Sequence, residues 1–197
     1  MSGEVYSNVL VSGQHSNRYA PGRVGPTDDH PSCNLFVRRD VLQQTGGFRT
    51  DFWPGEDTYL CLDIVHRLGL RIMYEPRALV FHHRRRLFLP HLRQIGRYGL
   101  HRGYFARHFP ATSRRVGYLM PSLLVSGLIL GAAAAWFMPA LRLPYALGVG
   151  LYLAITLVAA FCWRPADWIT IWLGIVLTHL TYGVRFIQGW LTRRLPG

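Results

Sequence analysis

The stretch YLMPSLLVSGLILGAAAAWFM, residues 118 to 138, carries no charged side chain from end to end. As a helix rising about 1.5 Å per residue, it is long enough to cross roughly 30 Å of hydrocarbon. Two further stretches follow the same pattern. PYALGVGLYLAITLVAAFCW, 144 to 163, is uncharged and closed by Arg164, and WITIWLGIVLTHLTYGVRFIQGWL, 168 to 191, is closed by Arg193 and Arg194. Trp136, Trp163, Trp168 and Trp190 fall near the ends of these stretches, where an amphipathic indole is most stable. A buried soluble bundle would need charged outer faces, which these stretches lack. Residues 118–194 are therefore expected to form an α-helical transmembrane region of two to three helices, at about 118–138, 144–163 and 168–191.

Working outward, the whole chain has 197 residues, half of them hydrophobic, and a formal net charge of +12. That length allows one domain or two small ones. All of its positive charge is arginine, with no lysine anywhere. Guanidinium forks bind carboxylate and phosphate bidentately, which favours anionic lipid headgroups, nucleotide or lipid diphosphates, or nucleic acid. A GC-rich genome would give the same usage without any functional cause. The arginines cluster beside the first apolar stretch rather than on a recognisable nucleic-acid-binding fold, so lipid is the expected partner and nucleic acid is not.

Cys33, Cys61 and Cys162 are widely spaced and suggest reduced thiols rather than a disulfide framework. The first thirty residues show no basic start followed by an apolar run, so no signal peptide is expected and insertion falls to the later segments. Nine arginines and no acidic residue lie between His82 and Gly117. By the positive-inside tendency this puts the front half in the cytoplasm and the chain, multi-pass, in the cytoplasmic (inner) membrane. Three full crossings would then leave Arg193 and Arg194 outside. Either the N-terminal bias wins or one segment is re-entrant or flat, with the first, holding Pro121, Gly127 and Gly131, the suspect.

Residues 1–85 read as α/β. Asn34 to Arg38 and Ala78 to Phe81 are strand-like, as is Arg71 to Tyr74, while residues 1–32 are aperiodic and expected as loop or strand remnant. Asp40 is expected to cap a brief helix over Val41 to Thr45, stopped by Gly46 and Gly47. A second helix starts near Glu56, with Leu60, Ile64 and Leu68 on one face and Gly69 at its end. Residues 86–117 read as a basic interfacial helix and linker, with Arg86, Arg93, Arg97 and His101 along one side. The arginines there serve either chemistry or simple attraction to anionic lipid. Gly96, Gly99 and Gly103 permit another surface to come close.

One cluster carries chemistry: Gly46-Gly47-Phe48, then Gly55-Glu56-Asp57, then His82-His83-Arg84-Arg85. A double glycine allows positive φ and a close backbone approach. Carboxylates in the first turn of a helix are favoured as anions, which suits a general base. Each piece has a plainer reading as cap, helix stop or half-exposed strand end. No third ligand is spaced to make a metal site of the histidines.

Taken in order, NLFVRRDVLQQTGGF (34–48), GEDTYLCLDIVHRLGLRIMYEP (55–76), the His-His strand end and RQIGRYGLHRG (93–103) resemble the C-terminal half of family 2 glycosyltransferases. These are inverting enzymes of the GT-A fold that use nucleotide-diphosphate sugars. THLTYGVRFIQGWLTRR (178–194) is similar to the last span of bacterial members that build exopolysaccharide and cell-surface glycans, so the resemblance runs from about Ser12 onward. It implies the C-terminal part of a GT-A-like domain followed by its membrane region. It implies Asp57 as catalytic base, Glu56 holding the acceptor or orienting the base, and Gly46, Gly47 and Phe48 lining the acceptor side. His82 or His83, with Arg93 and Arg97, would meet a diphosphate. It also implies a divalent metal, magnesium or manganese, acting as a Lewis acid on the departing diphosphate. The acceptor would be a glycan or a polyprenyl-phosphate-linked sugar.

The family's nucleotide-binding strands and Asp-x-Asp metal motif are not found; Asp28-Asp29 has no apolar strand before it and does not replace them. The main metal ligands are therefore expected outside this chain, on a separate donor-binding half, with this sequence a fragment or subunit. The competing reading is a non-catalytic membrane anchor, scaffold or pseudoenzyme. His179, Tyr182 and Arg185 share one face of the last stretch. They mark either an acceptor or exit path, or a snorkelling arginine and an interhelical histidine bond.

Overall fold

The computed structural model describes residues 2–13 and 21–195, apart from the side chain of Trp163. In chain order these form α1 (Ser2–Ser7), α2 (Val9–Ser12), β1 (Gly25–Thr27), α3 (Arg39–Thr45), α4 (Glu56–Leu62), β2 (Ile72–Tyr74), α5 (Leu89–His108), α6 (Pro110–Ser113), α7 (Val116–Phe137), α8 (Arg142–Trp163) and α9 (Trp168–Leu191). Three helices are long and apolar enough to cross a membrane, over Val116–Phe137, Pro139–Cys162 and Pro165–Leu191. Outward-facing Leu123, Ile129, Leu130, Leu147, Leu151 and Val158 are exposed, which only a hydrocarbon solvent makes stable. Membrane association follows from this surface.

The front half is less β than its sequence suggests. Its sheet has two short strands, with Gly25, Pro26 and Thr27 paired antiparallel to Tyr74, Met73 and Ile72. The runs at Asn34 to Arg38 and Ala78 to Phe81 form no strand among the described residues. Asn34 closes a 3-10 turn and Ala78 sits in a bend, and Phe36 and Phe81 point fully or almost fully into solvent. What joins them is a side chain, Asn34 Nδ2 donating to the Ala78 carbonyl at 2.7 Å. A small core does form where helical periodicity placed it. Val41, Leu60 and Ile64 are buried together, with Leu35, Leu68 and Ile72 packed around them.

Local punctuation is mixed. Gly46 closes α3 in the left-handed region, and Gly47 and Gly69 also have positive φ, as a helix stop requires. Asp40 does not cap α3; Arg38 occupies the cap position, and Asp40, one residue inside the helix, pairs with its guanidinium at 2.5 Å. The N-terminus is a second correction. Part of the loop expected over residues 1–32 is helical: α1 and α2 bury Val5 and Tyr6, and Asn8 caps α2 by accepting from Leu10 N. Val5 packs with Ala160, Ile171 and Ile175, so α1 belongs to the membrane half rather than the front half. The loop expected over 14–20 and the interfacial placement of Trp163 lie outside the described residues.

The main seam joins α5 to α9. His91 meets Thr178, Gly96 meets Thr181 and Arg185, Gly99 meets Tyr182, Gly103 meets Phe186, and Arg107 donates to the Trp190 carbonyl. The two helices therefore run parallel along this length. Their backbones touch through glycine: a Cβ at Gly99 would lie 2.8 Å from the Tyr182 carbonyl oxygen, while one at Gly103 or Gly189 would overlap the Phe186 or Leu100 carbonyl outright. Close approach at Gly96, Gly99 and Gly103 is as the sequence suggests. His101 is not: it is buried rather than continuing the exposed line of Arg93 and Arg97.

Gly103→Val or Gly189→Val is expected to destabilise the fold by about 1–3 kcal/mol or more, because no flexible side chain can yield to the added carbons. Gly148, where an added Cβ would meet nothing within 4 Å, is the control. Gly148→Ala should be neutral or stabilising by up to about 1 kcal/mol, and thermal unfolding in detergent separates the two cases.

Candidate functional site

Gly55 immediately precedes α4 and lies against α5. A Cβ there would come within 3.1 Å of the Phe105 ring and 3.2 Å of the Phe52 carbonyl oxygen, so only glycine lets the loop sit this low. An aromatic cluster fastens it: Phe52 stacks on Tyr59 at 4.5 Å between ring centroids, and Phe105 and Phe109 meet Phe52 edge-on at 5.6 and 5.5 Å. The Arg97 guanidinium lies over the Trp53 ring at 5.3 Å. This arrangement presents the first turn of α4, with Glu56 and Asp57, toward α5 and the membrane helices.

Asp57 Oδ2 accepts from Ser32 N at 3.2 Å, and Oδ1 accepts from Thr58 N at 2.7 Å. Two such bonds and a helix start would ordinarily hold a carboxyl in its anionic form. Burial prevails here. Desolvation, reinforced by the charge of Asp29, pushes the Asp57 carboxyl above its usual range, and the two N–H bonds only partly oppose this. Glu56 is raised too, first by burial and then by Asp57 beside it, and its Oε2 is buried without a hydrogen-bond partner. Two adjacent carboxyls that resist ionisation are better proton acceptors, once ionised, than ordinary aspartate or glutamate.

Arg102, whose charge reaches Asp57, is committed elsewhere. It pairs with Asp29 at 2.6 Å, where both side chains are largely buried, and donates to Ser113 Oγ at 3.1 Å. Asp29 also accepts from Thr58 Oγ1 at 3.1 Å. Arg115 pairs with Asp28. Asp57 is left facing a cavity of about 860 Å³. Glu56, Trp53, His82, Arg84, Arg85 and Arg97 line the same space, and so do Pro121 of α7, Tyr152 of α8 and His179 and Tyr182 of α9. One hollow therefore joins a carboxyl pair, a set of guanidiniums and an apolar wall.

The other expected site residues lie apart from it. Gly46 and Gly47 form the turn after α3 with open space around them, Phe48 is exposed beside them, and His83 and Arg93 are exposed without lining the cavity. The glycine pair supplies the positive φ of a helix stop. In α9 the expected polar face divides. His179 lies 3.0 Å from Tyr152 Oη and 2.9 Å from the Leu10 carbonyl, whereas Arg185 turns to α5 and donates to the Gly96 carbonyl at 3.3 Å.

Among the described residues no group of three or more His, Cys, Asp or Glu side chains converges on one point, and Asp28 and Asp29 are both held by arginine. Sequence reasoning missed Trp53, Tyr152 and the Asp29–Arg102 pair. Only a tertiary contact across more than seventy residues reveals that pair, and no spacing rule could signal it. No family model, no characterised protein and no solved structure matches the chain.

Buried His91 and His101 set an acid limit on the fold. Desolvation lowers each to about 4, with the charge of Arg102 adding to the effect at His101. A histidine whose folded pKa is depressed stabilises the neutral side of its titration. Thermal stability should accordingly fall as pH drops from about 6.5 toward 4, and a His91→Leu, His101→Leu variant should show a flatter profile. Asp57 has the opposite sign: its raised pKa makes the ionised form a cost, so Asp57→Asn should raise Tm at pH 8 more than at pH 4.

Proposed function

We propose that this chain is the acceptor-binding and membrane-anchoring part of an inverting, family 2-like glycosyltransferase. The cavity takes a hydroxyl-bearing acceptor, a glycan or a polyprenyl-phosphate-linked sugar. Asp57 accepts the hydroxyl proton as that oxygen bonds to the anomeric carbon of a nucleotide-diphosphate sugar. The bond from that carbon to the diphosphate oxygen breaks on the opposite side, and the nucleotide diphosphate leaves with the electron pair. Glu56 orients the acceptor, while Arg97 and His82 face phosphate oxygens. The donor enters with a nucleotide-binding half that also brings the metal ligands.

One observation carries this reading: a desolvated carboxyl, not ion-paired with any arginine among the described residues, faces the same hollow as several guanidiniums and the membrane helices. The order of the motifs from Asn34 to Gly103 supports it further. A second reading is a non-catalytic membrane scaffold, favoured by the commitment of Asp28 and Asp29 to ion pairs, which leaves the metal ligands to be supplied by another polypeptide.

Membranes holding this chain together with a donor-binding half should transfer labelled sugar from nucleotide-diphosphate sugars to lipid-extractable or polymeric product. Asp57→Asn should lower the rate by about 10²- to 10⁴-fold while leaving membrane content and partner association intact. Unchanged transfer by Asp57→Asn would remove the catalytic reading and leave the scaffold.

A further inference from the structure

The three apolar helices touch in pairs, and α8 follows α9 as far as the Tyr152–His179 contact at 3.0 Å. The start of α7 lies at the end of α9: the Arg114 guanidinium sits over the Trp190 ring at 5.5 Å, and Gly183 abuts Pro121. The end of α8 lies at the start of α9, where Ala160 packs on Ile171 and Ile175, and Trp172 Nε1 donates to Thr156 Oγ1 at 3.0 Å. Near the turn that joins them, α7 and α8 touch through Tyr145, whose Oη donates to the Leu128 carbonyl at 3.0 Å and whose ring covers Gly131. Farther from that turn they part, since Met120, Pro121 and Leu124 of α7 and Tyr152, Ile155 and Thr156 of α8 all line the cavity. The helices enclose a triangle.

Such a triangle restricts what each side does in a bilayer. Three successive full crossings leave the start of the first helix and the end of the third on opposite faces. Contact between Arg114 and Trp190 puts those two ends on one face, so the number of crossings between them is even. A second closure identifies the pair. Arg164, just after α8, donates to Glu4 Oε1 at 2.6 Å, and Ser2 of the same short helix donates to the Arg85 carbonyl at 2.5 Å. The end of α8 thus shares a face with the arginine run at 84–86. Residues 84–115 hold nine arginines and do not cross. The number of crossings between Arg115 and Arg164 is therefore even, which the length and apolarity of α7 and α8 make two, and none lies between Arg164 and Trp190.

We propose that the α7–α8 hairpin alone enters the bilayer and that α9 lies along the membrane surface beside α5, on the face that carries the rest of the chain. The partner of the α5–α9 pair is the lipid headgroup layer. Polarity is distributed accordingly: from Val116 to Trp163 the only charged residue is Arg142, close to the hairpin turn, whereas α9 carries Arg185 and the polar His179 and Gln188 within its length. The exposed apolar residues of α9, Ile169, Leu173, Val184 and Leu191, fall on one narrow stripe, as in a half-immersed helix. Exposed Arg93, Arg97, Arg193 and Arg194 supply charge for anionic headgroups, and Arg193 and Arg194 no longer contradict the positive-inside tendency.

Single-cysteine accessibility in sealed vesicles tests this. Native Cys33 is exposed and marks the face of the front half, and Cys61 is buried and serves as a folding check that must stay unreactive until denaturation. In a Cys162→Ser background, Ala166→Cys and Thr192→Cys, each with Cys33→Ser, place one probe at each end of α9. A membrane-impermeant maleimide should label all three positions from the same face. Reaction of the 192 probe only from the opposite face would show that α9 crosses and overturn the proposal. Reaction of the 166 probe alone from the opposite face would overturn it as well, by making α8 and α9 the crossing pair.

Discussion

The Asp29–Arg102 ion pair is the joint on which the arrangement depends. It takes a carboxylate from a loop of the front half and a guanidinium from the middle of α5, and closes them at 2.6 Å with little solvent access to either. Such a pair repays its desolvation only when the remaining donors and acceptors are also met. Here Thr58 and Ser113 meet them, one from α4 and one from α6. The pair thereby fixes α4 against α5, and α5 in turn is fixed to α9 through glycine contacts that leave no freedom of register. Asp57 inherits its position from this chain of contacts. It also inherits part of its basicity, because the buried charge of Asp29 opposes its ionisation.

A division of labour between neighbouring residues follows. Asp28 and Asp29 are absorbed in holding the architecture, whereas Glu56 and Asp57 stand at the edge of the hollow, outside the ion pairs found among the described residues. All four are acidic side chains in loops or helix starts. Their environments alone separate the two pairs: arginine at close range in one case, burial without full compensation in the other. The helix-start location of Glu56 and Asp57 suggests an easily ionised pair, and desolvation reverses that sign.

What could be read in the sequence was what depends on local pattern. Three uncharged or nearly uncharged stretches gave helices within a few residues of the expected bounds, Leu60, Ile64 and Leu68 fell on one face of α4 and the turn after it, and Gly99 and Gly103 of α5 met another backbone. The failures share a different cause. Asn34 to Arg38 and Ala78 to Phe81 have strand-like composition, but a strand is defined by its neighbour, and the neighbour is missing from the described residues. Residues 2–12 lack periodicity because so short a pair of helices is held by Asn8 and Val5 against α8 and α9 and by Tyr6 against His91 of α5, not by its own pattern. Gly46-Gly47-Phe48 satisfied a local need for a helix stop and so lay apart from the cavity. His82 and Arg97, which the resemblance implies as diphosphate contacts, line the same hollow as Asp57, a placement that no local pattern encodes.

The parting of α7 from α8 beyond Tyr145 has one more consequence. Pro121 and Tyr152 line one hollow with His179 and Tyr182, so an amphiphile seated there would touch α7, α8 and α9 at once. Whatever occupies that gap is linked by mass action to the folded state. The apparent robustness of the protein then belongs jointly to the polypeptide and to the medium that holds it.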